Sequence, residues 1–74
     1  MPNKLFIEEW QRQSKRAISI LSDAKVKFDI IDVSDSFFGR DILRALSGDH
    51  RVPVLFADGI EYGGLDGVRR FIAE

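Results

Sequence analysis

The sequence predicts an α/β domain of order β-α-β-α-β-β-α, with three helices flanking a four-stranded mixed sheet. Three observations carry that expectation. Apolar residues switch between strand and helix spacing along the chain. An Asp58-Gly59 pair separates two short apolar runs, the signature of a two-residue hairpin turn. A length of 74 residues with 45% hydrophobic content suits one small domain, residues 1–74.

Each element follows from its residues. Lys4-Leu5-Phe6-Ile7 reads as a short strand. From Gln11 to Ala24, residues Ser14, Ala17, Ile18 and Leu21 share one helical face, with Trp10 just ahead of them. Val26 to Val33 is β-branched, aromatic and partly alternating, so it reads as the second strand, with Lys25 and Lys27 guarding an edge. Ser34, Asp35 and Ser36 offer capping oxygens to a second helix carrying Phe38, Ile42, Ala45 and Leu46, which Gly48 stops. Val54-Leu55-Phe56 and Ile60-Glu61-Tyr62 flank the hairpin turn, and Gly63-Gly64 breaks the second of these strands. Leu65, Val68, Phe71 and Ile72 follow at helix spacing. The first β-α-β unit should form a parallel pair by a right-handed crossover, and the hairpin should add an antiparallel pair.

Composition narrows the function classes. Eleven basic and twelve acidic residues give a formal charge of −1, which argues against an extended nucleic-acid footprint. The absence of cysteine removes disulfide exchange, thiolate catalysis and thiolate metal ligation together. His50 is the lone histidine, too few imidazoles for a metal site among scattered aspartates. With no signal-peptide core and no apolar run of membrane-span length, the expectation is a cytoplasmic protein with no membrane partner.

Two segments point to a ligand. Val52-Pro53 opens a strand where proline removes a backbone donor, allows a cis bond, and frees the preceding backbone to pair elsewhere. Gly63-Gly64-Leu65-Asp66 lets backbone approach closely as a helix begins, and its N–H groups suit a carboxylate. Asp66 either caps that helix or receives an amine. Each segment also has a plain structural reading, as a proline-limited strand and a glycine-rich helix start.

In this order, RVPVLFADGIEYGGLD resembles the C-terminal half of a glutaredoxin, whose Thr-Val-Pro segment, turn and Gly-Gly-x-Asp it follows with Arg51 for the threonine. FDIIDVSD resembles that family's second strand, and SGDH the end of its second helix. The resemblance implies a thioredoxin-like fold of glutaredoxin type. It places the Cys-Pro-Tyr-Cys motif on Gln11-Arg12-Gln13-Ser14, so both reactive thiols are absent, and it puts Glu8 where a lysine often holds an anion. It further implies that Val52, beside a cis Pro53, would pair with a glutathione cysteinyl group. The backbone near Gly64, Leu65 and Asp66 would meet the γ-glutamyl carboxylate, and the Asp66 side chain the γ-glutamyl amine. Arg51 and His50 lie close enough in sequence to add contacts to an acidic ligand, although a plain loop is the favoured reading of His50.

What remains in Trp10 to Arg16 is poor in reactive groups. A serine hydroxyl cannot exchange a disulfide, and no histidine lies near Ser14 in sequence to act as its base. The favoured reading makes Ser14 a solvated first-turn residue or weak cap, Gln11 and Gln13 surface amides, and Trp10 a cover for the core. Trp10 as an exposed binding anchor is the alternative. The function expected is that of a cysteine-less, redox-inactive binding or interaction module that requires no cofactor. Glutathione, another γ-glutamyl ligand or a protein partner would occupy its cleft. The resemblance leaves two alternatives: a transferase-like enzyme using the thiol of bound glutathione with Ser14 or Arg51 assisting, and a structural domain that binds only a protein partner.

Overall fold

A computed structural model describes residues 3–8, 10–34, 41 and 52–74. Four strands, β1 (Lys4–Ile7), β2 (Asp29–Asp32), β3 (Val54–Ala57) and β4 (Ile60–Gly63), form one sheet in the order β2-β1-β3-β4. β1 runs parallel to β2 and antiparallel to β3, and β3 runs antiparallel to β4. Helix α1 (Arg12–Asp23) makes the first crossover, and helix α2 (Gly64–Ala73) follows β4. This is the expected four-stranded mixed sheet. The helix expected from Ser34 to Gly48 lies outside the described residues apart from Ser34 and Asp41, of which Asp41 is helical.

Strand periodicity divides the core between the two faces of the sheet. Leu5, Ile7, Leu55, Ala57 and Tyr62 pack with Ala17 and Leu21 of α1 and Val68 of α2. Phe6 and Val54 point the opposite way with Val33 and Val52, and Phe6 meets Phe56 edge-on at 5.6 Å. Because side chains alternate along a strand, one short run such as LFI serves both faces. At the β3–β4 turn, Asp58 and Gly59 have φ of 53° and 78°, the left-handed pair that a type I′ hairpin needs.

Two local expectations are corrected. The second strand begins at Asp29, not Val26, because the preceding residues terminate α1. The Lys25 amide donates to the Ser22 carbonyl and the Val26 amide to the Leu21 carbonyl, with Lys25 at φ 60°. That is a Schellman ending, and Val26, partly buried, packs against the core cluster that includes Leu21. Lys25 therefore ends a helix and does not guard a strand. Lys27 is exposed ahead of β2, where its carbonyl accepts a bond from Asn3. Trp10 does not cover the core: it is 70% exposed. Among the described residues, no helix is long and apolar enough to cross a membrane, and no cluster of acidic or histidine side chains could hold a metal ion.

Candidate functional site

Strand register brings the separate segments to one end of the sheet. Phe6 lies opposite Val54, and Val54 lies opposite Gly63. The exit of β1, the entry of β3 and the start of α2 therefore meet. The Val52–Pro53 bond is cis, and the Pro53 carbonyl accepts the Gly64 amide at 2.7 Å. That bond ties the proline loop to the first residue of α2. Gly64 has φ 68°, a backbone state that favours glycine.

An open cleft of about 470 Å³ lies there, lined by Gln13, Val54, Glu61, Gly63, Gly64, Leu65, Asp66 and Arg69. Val52 and Pro53 are buried beside it, so any contact they make to a ligand uses backbone. Gly63 is the N-cap of α2 with no side-chain cap. The amides of Leu65 and Asp66 fall in the first turn, where no carbonyl of the helix lies in position to accept them. Asp66 does not cap the helix. Its side chain is fully exposed, 4.0 Å from Arg69 one turn on. Arg51, His50 and the other loop residues up to 51 lie outside the described set.

The loop on the opposite wall is organised in a way the sequence reading missed. Ser14 is completely buried, not solvated. Its hydroxyl accepts the Glu8 amide at 3.1 Å and donates to Gln11 Oε1 at 2.6 Å. The Gln11 amide in turn donates to the Glu8 carbonyl at 2.9 Å. Gln11 is thus the half-buried N-cap of α1 and a structural partner, not a surface amide. Gln13 and Arg12 are exposed, and Gln13 reaches the cleft. Glu61 and Arg69 were not singled out from sequence. Arg69 was discoverable, since it follows Asp66 by three residues on a helix, whereas Glu61 reads as an ordinary hairpin position.

Solved structures share this fold. A buckwheat glutaredoxin solved in complex with glutathione superposes with a TM-score of 0.79 at 21% identity, over 93% of this chain and 66% of its own. An Archaeoglobus fulgidus glutaredoxin gives 0.81 at 15% identity, over 97% of this chain and 85% of its own. One from Brucella melitensis gives 0.75 at 21%, over 96% and 77%. The chain thus spans about two thirds of the length of the buckwheat protein. No curated protein sequence matches it. The glutaredoxin family model matches residues 4–60, most of the chain, and with no cysteine anywhere in its sequence the chain is a member of the glutaredoxin family that lacks the active-site thiols.

Proposed function

We propose that this chain is a redox-inactive glutaredoxin-type binding module whose cleft takes glutathione or a related γ-glutamyl compound. The observation that carries the reading is the bond from the Gly64 amide to the Pro53 carbonyl. It fixes two backbone recognition elements against each other: the edge at Val52 and the amides of Leu65 and Asp66. A carboxylate on those amides would satisfy donors that the helix leaves open and would lie at the positive end of its dipole. Asp66 projects into solvent beside the cleft, suited to an ammonium group, while Arg69 supplies a cation nearby. The cleft's size is within the range of small-ligand sites.

Binding, without exchange, is the expected outcome. Thiol–disulfide chemistry needs a thiolate on the protein, and this chain supplies none. The transferase-like alternative is disfavoured by the Ser14 hydroxyl, whose proton is committed to Gln11 and whose side chain is shut away from the cleft surface. The test is a titration of isotopically labelled protein with reduced glutathione. The amide signals of Val52, Leu65 and Asp66 should shift together and saturate, with no reduction of a disulfide substrate. An absence of shifts at millimolar glutathione would leave a domain that binds protein partners only. Glutathione-dependent turnover abolished by Ser14→Ala would establish the enzyme instead.

A further inference from the structure

The approach to α1 presents a surface that the cleft does not use. The Gln11-to-Glu8 bond closes a β-turn with Trp10 at its third position. Ser14 staples this turn from beneath, holding the Glu8 amide at one end and the Gln11 side chain at the other. The turn is held by three hydrogen bonds, and what it projects is the chain's sole tryptophan, 70% exposed. An indole left in water forgoes one of the largest apolar burials a side chain can make.

Beyond Trp10, α1 displays Arg12, Lys15 and Arg16, all exposed. Arg12 and Arg16 are one turn apart on the same side, and the first turn contains no acidic residue. None of the three cations forms an ion pair among the described residues. The acidic residues nearest in sequence, Glu8 and Glu9, precede Trp10 in the chain. Like charges one turn apart, close to the positive end of a helix dipole, weaken the helix. Intramolecular stability therefore does not account for their placement.

We propose that Trp10, Arg12, Lys15 and Arg16 form a docking surface for an acidic peptide segment of another protein. An apolar side chain of that segment would seat on the indole, and its carboxylates would pair with the cations. Charge complementarity selects this partner, and tryptophan and arginine are the residues that most often anchor interfaces. A nucleic-acid strand fits less well. Three cations on a chain of formal charge −1 make too small a footprint to track a phosphate backbone. The surface is independent of the glutathione reading, because none of its four residues lines the cleft.

Tryptophan fluorescence tests the proposal directly, since all of it comes from Trp10. The probes are a short peptide of aspartates and glutamates around a central leucine, its asparagine and glutamine counterpart, and an oligothymidylate. The acidic peptide should shift the emission saturably to the blue, with an affinity that falls as salt is raised. Arg12→Gln combined with Arg16→Gln should weaken it at least tenfold, about 1.4 kcal/mol. Both side chains are exposed, so circular dichroism should show an unchanged fold. Arg12→Glu with Arg16→Glu should transfer the preference to a lysine-containing counterpart. No emission change at millimolar acidic peptide, an equal response to the neutral peptide, or tighter binding of oligothymidylate would overturn the proposal.

Discussion

The Ser14 hydroxyl donates to Gln11 Oε1 at 2.6 Å, which ties the first turn of α1 to its N-cap residue. The same oxygen accepts the Glu8 amide, so one buried hydroxyl holds both the exit of β1 and the cap of α1. Ser14→Ala leaves that amide and the half-buried Gln11 side chain without this partner. The cost should be about 1–3 kcal/mol, the usual penalty for an orphaned buried polar group. Urea denaturation should report it as a lower midpoint, and hydrogen exchange at Glu8 should accelerate. An unchanged midpoint would mean that the network does not hold the loop.

Gln11→Cys places a thiol at the start of α1, where the helix dipole favours the thiolate. If the cleft recognises glutathione, the variant should form a mixed disulfide with oxidised glutathione faster than an exposed cysteine placed at Ser22 does. Mass spectrometry of the two variants side by side decides it. Equal rates would indicate that the cleft contributes nothing.

Gly67 is required by packing. A Cβ at this position would stand 2.5 Å from the Tyr62 carbonyl carbon, and that neighbour is backbone that cannot swing aside. Gly67→Ala gains about 1 kcal/mol of helix propensity. It should nevertheless destabilise the protein, because forcing α2 off β4 costs about 1–3 kcal/mol. Gly63→Ala is the control: a Cβ there meets nothing within 4 Å, so its melting temperature should change far less.

Lys25 holds φ 60° at the end of α1, where glycine is usual. Lys25→Gly relieves a strain of roughly 1–2 kcal/mol and gives back part of it through the freer unfolded chain. A small net rise in thermal stability is the expected result, and a fall would show that the lysine side chain contributes a contact of its own.

Tyr62 donates its hydroxyl proton to Glu74 at 2.8 Å, with Arg70 5.5 Å from its ring centre. That hydrogen bond, reinforced by burial and by the Glu74 charge, raises the Tyr62 pKa above its usual value of 10.0. The folded state therefore keeps this proton to higher pH than the unfolded chain does. The stabilisation is fully present below pH 10.0 and is lost as pH rises through the folded-state value. Tyr62 is the only tyrosine, so tyrosinate absorbance reads it alone. Glu74→Gln should lower its titration midpoint, and Tyr62→Phe should flatten the alkaline loss of stability.

Much of the fold was legible because it rests on local chemistry. Asp58-Gly59 specified the hairpin, and the apolar spacing of Ala17 and Leu21 specified the buried face of α1. The boundary of β2 was not legible, since Val26 and Phe28 have strand-like side chains but serve the core behind a helix ending. Trp10 and Ser14 exchanged their expected environments for a similar reason. Propensity favours a buried indole and a wet hydroxyl, and a tertiary hydrogen-bond network overrode both preferences.

By itself the sequence determined the run of strands and helices around the hairpin and the absence of any thiol for disulfide chemistry, because these depend on residue type and spacing. Tertiary structure alone decided which distant segments share a cleft. It was the register pairing Phe6 with Val54 and Val54 with Gly63 that brought the proline loop to the start of α2. It also decided that Ser14, expected in the sequence as a solvated first-turn residue, is the buried fastening of the loop. A hydroxyl can be buried at little cost only where a donor and an acceptor converge on it, and such convergence exists only once the chain has folded.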